Sequence, residues 1–122
     1  MIIKESAENY LEAILSLKKE KGSVRSIDVA NDLGVSKPSV SVAMKNFREE
    51  GYITVDENGF LDLTEKGLEI ATAVYERHLV IAKALMALGV SEETAYEDSC
   101  KIEHCISHES FEKLKEFLKR HE

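Results

Sequence analysis

The spacing of apolar residues predicts a chain built mostly from helices. Over residues 6–20 apolar side chains recur every three or four positions, which places them on one face of a first helix: Tyr10, Leu11, Ile14, Leu15 and Leu17. Ser6 is a suitable N-cap for this helix, because its hydroxyl can accept a hydrogen bond from a free backbone N–H. The same periodicity returns in most of the later segments.

Residues 26–48 combine two short helices with a tight turn. The first helix is predicted near Ser26–Leu33 and ends at Gly34. Ser36 caps the second helix, and Pro38 lies in its first turn, where a missing N–H costs no hydrogen bond. The inward face of the second helix is expected to carry Val40, Ala43, Met44 and Phe47. Two helices around a Gly-Val-Ser turn are typical of a helix-turn-helix.

An alternating stretch directly after these helices predicts a β-hairpin. Residues 52–55 read Tyr-Ile-Thr-Val, residues 56–59 form the turn sequence Asp-Glu-Asn-Gly, and residues 60–63 return as Phe-Leu-Asp-Leu. A hairpin that follows a helix-turn-helix is a wing. We therefore predict a winged helix-turn-helix DNA-binding domain over residues 1–70.

Three more helices are predicted after the hairpin. Thr64 caps a long helix that runs to about Leu88, Ser91 caps a helix over residues 92–106, and the last helix begins at Ser107 or His108. The long helix carries apolar residues suited to a dimer interface: Leu68, Ile70, Val74, Leu79 and Leu85. A monomer that uses the same residues as its core is the alternative.

Composition restricts the class of protein. A chain of 122 residues suits one domain or two small lobes, and 43% hydrophobic residues are enough for a folded core. No apolar run approaches the roughly 20 residues that a membrane-spanning helix needs. The N-terminal sequence MIIKESAENY lacks the apolar segment of a secretory signal. We therefore expect a soluble, cytoplasmic protein whose two cysteines stay reduced.

The charge is distributed unevenly, although the net charge of -7 is unfavourable for binding nucleic acid. Residues 18–48 carry seven basic and three acidic side chains, a balance of +4. Residues 85–122 carry five basic and nine acidic side chains, a balance of -4. A basic amino-terminal region and an acidic carboxy-terminal region suit a DNA-binding protein coupled to a cation sensor.

Potential metal ligands are concentrated in DSCKIEHCISHES, residues 98–110. A helix over residues 92–106 places Cys100, Glu103 and His104 on one face, at positions i, i+3 and i+4. Thiolate, carboxylate and imidazole together favour a borderline divalent transition metal over calcium or magnesium. Three ligands leave the coordination shell incomplete, and His78 and Glu12 are further possibilities. The alternative is a polar helix face, with the cysteine packed as a small apolar residue beside an exposed Glu-His pair.

Four segments resemble a known family in the same order: AENYLEAI, VANDLGVSKPSVSVAMKNFREEGYI, YERHLVIAKAL and EDSCKIEHCIS. They are similar to the DtxR/MntR family of metal-dependent transcriptional repressors, also called the diphtheria toxin repressor family. The resemblance implies a mainly α homodimer, with a winged helix-turn-helix followed by a helical dimerisation and metal-binding region at residues 71–122. It also implies repression of metal-uptake genes when Fe(II) or Mn(II) is bound, and a short form without the SH3-like domain of longer members.

The resemblance also implies individual metal ligands. The C-x-x-E-H sequence matches the iron-responsive branch and implies Cys100, Glu103 and His104, whereas the manganese-responsive branch has glutamate where Cys100 stands. His78 matches a histidine ligand found in both branches, and Glu12 matches a glutamate used by the manganese branch. The ligand set therefore looks like a hybrid of the two branches.

Asn9 departs from both branches, because its position is aspartate in the manganese branch and methionine in the iron branch. An amide oxygen can coordinate a hard cation, but it contributes no charge. Glu12 and Asn9 lie in the first helix, whereas the other implied ligands lie nearer the carboxyl end. We therefore expect bound metal to connect the two lobes and set the separation of two recognition helices in a dimer, about 34 Å for one turn of DNA.

The second helix of the helix-turn-helix is expected to contact double-stranded DNA at a palindromic operator. Its start and outward face carry side chains that can reach phosphates or base edges: Ser36, Lys37, Pro38, Ser39 and Ser41. Arg25, Lys37 and Lys45 are the expected phosphate partners. Capping alone is the alternative role for the serines.

Two other functions are alternatives to a metal-dependent repressor. A metal-independent winged-helix protein, acting as a DNA-binding or protein-interaction module, fits the same fold. A hydrolytic metalloenzyme needs a general base and a substrate pocket, and the sequence has neither H-E-x-x-H nor a catalytic carboxylate pair. We expect no enzymatic activity, no small-molecule substrate and no membrane partner.

Overall fold

The computed structural model describes residues 5–121, with side chains from Ala7 to His121. These residues form six helices and one hairpin: α1 Glu5–Lys21, α2 Ser26–Leu33, α3 Lys37–Glu49, β1 Ile53–Val55, β2 Leu61–Leu63, α4 Glu65–Ala87, α5 Glu92–Ile102 and α6 His108–Arg120. The mainly α fold with a small wing is therefore confirmed. Ser6 lies inside α1 rather than at its N-cap, and its side chain is outside the described residues.

The chain divides into two compact units between Thr72 and Ala73, within α4. The first unit holds α1 to α3, the hairpin and the beginning of α4, and the second holds the rest of α4 with α5 and α6. The predicted domain boundary between residues 70 and 71 remains a prediction. No helix in the described part of the chain has the length and apolar character needed to span a membrane.

The predicted apolar faces of α1 and α3 form much of the first unit's core. The residues from these two faces that are buried are Leu11, Ile14, Leu15, Leu17, Val40, Met44 and Phe47. The Phe47 ring also lies edge-on to two tyrosines, with centroids 6.0 Å from Tyr10 and 6.3 Å from Tyr52. These contacts fix α3 against the first unit by one face and leave its other face in solvent.

The wing is a two-stranded antiparallel hairpin in which Ile53 pairs with Leu63 and Val55 with Leu61. Its turn is held by Asp56, whose carboxylate accepts hydrogen bonds from the N–H groups of Asn58 and Phe60, each at 2.9 Å. Gly59 supplies the positive φ of 83° that this turn requires. The predicted hairpin and turn are confirmed.

The start of α4 packs tightly against the residue that precedes β1. Thr64 caps α4 as predicted, accepting from the Gly67 N–H at 3.2 Å and donating to the Gly51 carbonyl at 2.7 Å. A Cβ atom at Gly67 would lie 2.0 Å from the Tyr52 carbonyl oxygen, which itself accepts from the Thr64 N–H. Only glycine fits here without a backbone shift.

We expect Gly67→Ala to lower the free energy of unfolding by about 2 kcal/mol, because overpacking outweighs alanine's higher helix propensity. Urea denaturation of the full chain measures the change. Glu69→Ala, at an exposed position of the same helix, is the matched control and should have little effect. Equal stability of the two variants would contradict this close approach.

Asp28 holds the beginning of α2. Its carboxylate accepts from the Arg25 N–H at 2.9 Å and lies 3.4 Å from the Lys21 ammonium. The hydrogen bond from the Arg25 N–H, with help from Lys21, lowers the pKa of Asp28 below its usual 3.8. A carboxyl group whose pKa is lowered by folding stabilises the fold above about pH 4, and this contribution is lost as the pH falls through the lowered pKa.

We expect Asp28→Asn to destabilise the protein by about 1 kcal/mol at pH 7, the usual size of a helix-capping contribution. The difference from the parent should shrink toward pH 3, where the parent's carboxylate becomes protonated. Urea denaturation at pH 7, 5 and 3 measures it, with Asp32→Asn on the same helix as control. A difference that does not change with pH would show that the charge of Asp28 is unimportant.

In the second unit, α5 ends earlier than predicted. Ser91 and Ser107 cap α5 and α6 by accepting from Thr94 N–H and Ser110 N–H. However, α5 stops at Ile102, whose carbonyl accepts from both Cys105 and Ile106 N–H at 2.9 Å. The prediction of helix over residues 103–106 is therefore wrong, because the chain must leave the helical conformation to reach the extended backbone of the Ser107 N-cap.

Candidate metal centre and DNA-contact helix

Four potential ligands converge in the second unit, three of them from the end of α5. Cys100 lies in the last turn of α5, Glu103 is its C-cap residue, and His104 follows in the connecting turn. The Glu103 N–H still donates to the Ser99 carbonyl at 3.0 Å, so the backbone keeps a helical path to this residue. Cys100 and Glu103 therefore keep the i, i+3 relation of a helix, although α5 ends at Ile102. His78, from α4, faces them.

The Glu103 carboxylate is central to this group. Its Oε2 lies 3.1 Å from Nδ1 of His78, and its Oε1 lies 3.3 Å from Nε2 of His104. The Sγ atom of Cys100 lies 3.5 Å from the same Nδ1 of His78. One carboxylate, two imidazoles and one thiol are thus linked pairwise, from Cys100 to His78, from His78 to Glu103 and from Glu103 to His104.

The carboxylate is buried and only partly satisfied. Glu103 is 1% exposed, and the His104 side chain is 2% exposed. Among the described residues Oε1 has no hydrogen-bond partner, since the nearby His104 nitrogen lies within ion-pair distance but outside hydrogen-bonding geometry. A buried carboxylate oxygen without a hydrogen bond is unfavourable unless a cation neutralises it.

Ser99 and Tyr96 complete the surroundings of His78. The buried Ser99 hydroxyl donates to the Tyr96 carbonyl at 2.9 Å, and its Oγ lies 3.3 Å from Nδ1 of His78. The Tyr96 ring lies against the imidazole, with centroids 5.5 Å apart. These contacts hold the ring with Nδ1 directed at the cluster, where oxygen and sulfur atoms surround it.

Two separations between donor atoms fit ligands of one divalent transition metal. Nitrogen and oxygen ligands each about 2.1 Å from one ion are about 3.0 to 3.4 Å apart at octahedral or tetrahedral angles, and a sulfur ligand lies slightly farther away. The observed separations of 3.1 and 3.5 Å from Nδ1 of His78 match this arrangement. The site also lies at the carboxyl end of α5, where the helix dipole favours a cation.

The structure brings together four of the six predicted ligands: His78, Cys100, Glu103 and His104. The alternative with an exposed Glu-His pair is wrong, because both side chains are buried. Glu12 and Asn9 are half-buried residues of α1, in the first unit, and their role as ligands remains a prediction. The sequence does not predict Ser99 as part of the site, since nothing distinguishes it from the other serines.

In the first unit, α3 presents the predicted DNA-contact residues. Ser36 caps the helix by accepting from Ser39 N–H at 3.3 Å, and the two hydroxyls are 2.8 Å apart. All of the predicted residues at the start and on the outward face of α3 are exposed: Ser36, Lys37, Pro38, Ser39, Ser41 and Lys45. The caps are confirmed, and contact with DNA remains a prediction.

Arg25 lies beside the wing rather than on α3. Its guanidinium lies 4.4 Å from the centre of the Phe60 ring, and its backbone forms an isolated β-bridge with Phe60. Arg25 is exposed in this position. The predicted phosphate contact would therefore come from the wing side of the unit.

Val42 is a residue that the sequence analysis missed. Its side chain is 63% exposed on α3, although valine is usually buried. Pro38, Ser41, Val42 and Lys45 are spaced at three to four positions and so share the outward face of the helix. The sequence does contain a signal for this exposure, because Val42 does not follow the helical spacing of the buried residues Val40, Met44 and Phe47.

Comparison with known proteins assigns the family. The family model for the N-terminal DNA-binding domain of iron dependent repressors matches residues 3–60, and the model for their metal-binding and dimerisation domain matches residues 64–122. An uncharacterized HTH-type transcriptional regulator of Methanocaldococcus jannaschii is 34% identical over 118 residues, 95% of this chain and 94% of that protein. The chain belongs to the iron-dependent repressor family. The family assignment expected from the sequence is thus confirmed.

Similar proteins and solved structures include several named regulators. The transcriptional regulator MntR of Escherichia coli O157:H7 is 34% identical over 118 residues, covering 97% of this chain and 76% of MntR. Among solved structures, the manganese regulator SloR matches with a TM-score of 0.79 and 28% identity, and IdeR of T. acidophilum with 0.83 and 25%. Each match covers 98% of this chain and 55% of the solved chain, so the chain spans about half of their length.

We expect Glu103→Gln to remove metal-dependent stabilisation without strongly destabilising the metal-free protein. The amide keeps the shape of the side chain but removes the buried charge that a divalent ion requires. Thermal unfolding with chelator and with excess Mn(II) measures both effects, because a ligand of the folded state raises Tm.

Glu97→Gln, at an exposed position of α5, is the matched control and should keep the full Mn(II)-dependent rise in Tm. A Glu103→Gln variant with the parental rise would exclude Glu103 as a ligand.

Proposed function

We propose that this chain is a transcriptional repressor activated by Fe(II) or Mn(II), which binds a palindromic operator as a homodimer and controls metal-uptake genes in the cytoplasm. The observation that carries this proposal is the buried Glu103 carboxylate, with two histidine nitrogens at 3.1 and 3.3 Å and a thiol next to the first. Membership of the iron-dependent repressor family supports the link between this site and DNA.

The proposed ligands have distinct roles. Glu103 supplies buried negative charge, Cys100 supplies a second negative charge when its thiol loses a proton, and His78 and His104 coordinate as neutral imidazoles. A divalent cation bound to this set would balance the two negative charges, one of them on the buried Glu103. Because the ligands must be deprotonated, metal affinity should fall as the pH is lowered.

We also propose that Glu12 and Asn9 of α1 belong to the ligand set, because Glu12 matches a family ligand and Asn9 stands at a ligand position that both branches fill with another residue. Glu12 adds a carboxylate, and Asn9 adds only a neutral oxygen. Ligands from α1 would connect metal binding to the unit that carries α3. This is how a bound ion would favour the conformation that binds DNA.

The choice between iron and manganese depends on the donor atoms. The sulfur of Cys100 is softer than the oxygen ligands that Mn(II) prefers, and it favours Fe(II). SloR is named as a manganese regulator, whereas the matching family models are named for iron. Both ions are therefore kept in the proposal. Zn(II), Ni(II) and Co(II) can bind more tightly in vitro without being the physiological ion.

The DNA interface is proposed on the outward face of α3. Lys37 and Lys45 would bind phosphates, while Ser41 and Val42 would face base edges. A valine has no hydrogen-bonding atom, but its methyl groups can contact the methyl group of thymine. Arg25 would add a phosphate contact from the wing. Such a surface gives modest direct readout, so symmetry and DNA shape should contribute to specificity.

The decisive experiment is fluorescence anisotropy with DNA from upstream of the protein's own gene and of nearby metal-uptake genes. Titrations use one fixed salt concentration, without oxygen, in chelator, Mn(II) or Fe(II). We expect tight binding only with metal, and a loss of at least about tenfold in the Cys100→Ala, His104→Ala double variant, as for the loss of metal-site groups in other proteins.

The matched control is the Cys105→Ala, His108→Ala double variant, which removes the same residue types from exposed positions just beyond the cluster. It should bind DNA as the parent does. Equal binding of the parent in chelator and in metal would contradict metal activation and favour a metal-independent winged-helix protein. Absence of DNA binding under every condition would favour an interaction module.

A further inference from the structure

We propose that Arg77 is a positioning residue that sets the geometry of Glu103 and His104. This inference rests on the metal site of the proposed function. Arg77 is adjacent to His78 on α4, and its Nη1 donates a hydrogen bond to the main-chain carbonyl oxygen of Glu103 at 3.2 Å.

The carbonyl that Arg77 contacts belongs to the peptide group joining Glu103 to His104. A peptide group is planar, so its orientation fixes the directions in which the two flanking Cα atoms are placed. A hydrogen bond to this one oxygen therefore constrains both side chains together. Their present separation, 3.3 Å between Oε1 and Nε2, depends on that peptide plane.

The need for such a constraint comes from the early end of α5. Carbonyl groups at a helix end lack the N–H donors that the next turn would provide. Here the helix stops at Ile102, so the ligands Glu103 and His104 lie where regular helical bonding has ended. An arginine at this end satisfies a carbonyl, and its charge interacts favourably with the helix dipole.

The same segment of α4 holds Glu103 at two points. Arg77 contacts its main-chain oxygen, and Nδ1 of the neighbouring His78 lies 3.1 Å from its carboxylate Oε2. The dipeptide thus fixes the backbone and the side chain of one ligand relative to a second ligand. We infer that this arrangement preorganises the site before the cation binds.

Positioning and simple electrostatics give opposite expectations for Arg77. Its positive charge lies close to a site for a divalent cation, so electrostatic repulsion alone predicts tighter metal binding when the charge is removed. Loss of positioning predicts weaker binding and a changed coordination geometry. The sign of the effect therefore separates the two roles.

The test uses the full chain, freed of metal, and four variants. Arg77→Ala and Arg77→Met remove the donor, and methionine keeps an apolar stem in case alanine disturbs folding. Arg77→Lys restores one cationic donor without the planar fork. Arg120→Ala, exposed in the last turn of α6, is the charge-matched control. Free Mn(II) is measured by electron paramagnetic resonance, and Co(II) absorption reports the coordination geometry.

We expect Mn(II) affinity to fall by about 10- to 100-fold in Arg77→Ala and Arg77→Met, the usual range for residues that orient metal ligands. The Co(II) absorption bands should shift in the same variants, Arg77→Lys should recover part of both properties, and Arg120→Ala should match the parent. Unchanged or tighter Mn(II) binding with the parental Co(II) spectrum, in whichever of the two donor-free variants folds, would overturn the proposal.

Failure of the proposed function gives a different result. In that case the parent itself binds neither ion, and Arg77 has no metal ligands to position. Failure of this inference alone leaves a parent that binds metal and donor-free variants that bind it equally well.

Discussion

The charge of the buried Glu103 carboxylate is the constraint on which the second unit depends. Removing a carboxylate from water costs several kcal/mol unless a positive partner replaces the lost hydration. His78 and His104 lie within 3.3 Å of its oxygens, but Oε1 still lacks a hydrogen bond among the described residues. A divalent ion bound at the proposed site would balance this charge, so the group that is unfavourable without metal would contribute to metal affinity.

The proposed ligands Glu103 and His104 follow the C-terminal end of α5, so the contacts that cap this helix also position them. A helix continued through residue 106 would keep its carbonyls bonded to its own N–H groups. Although α5 stops at Ile102, the N–H groups of Glu103, Cys105 and Ile106 still donate to its carbonyls, and Arg77 adds a bond to the Glu103 carbonyl. The ligands at this end are thus placed by tertiary contacts, which makes their geometry sensitive to whatever holds the adjoining helix.

The first unit presents a helix to DNA although the chain has a net charge of -7. Burial of Val40, Met44 and Phe47 uses one face of α3 and leaves Lys37, Lys45 and the exposed Val42 on the other. Some of the unit's basic residues are occupied internally, since Lys18 pairs with Asp62 and Lys21 with Asp28. The local surface of α3, rather than total charge, therefore decides whether this unit can bind a polyanion.

The sequence by itself determined the elements that local rules control. The apolar spacing of α1 and α3, the caps at Ser36, Thr64, Ser91 and Ser107, and the hairpin turn at residues 56–59 are all visible in short stretches of sequence, because each depends on neighbours a few positions away. The C-x-x-E-H spacing likewise identified Cys100 and Glu103, which contact His78, and His104, which lies beside Glu103.

Only the tertiary structure decided what depends on residues distant in the chain. Burial of Glu103, the approach of Ser99 to His78 and the bond from Arg77 to the Glu103 carbonyl all depend on positions whose relation no local pattern encodes. The same reason explains the wrong end of α5. Helical periodicity continues through residue 106. However, the N-cap of the next helix at Ser107 requires extended backbone, so residues 103–106 form a turn instead of further helix.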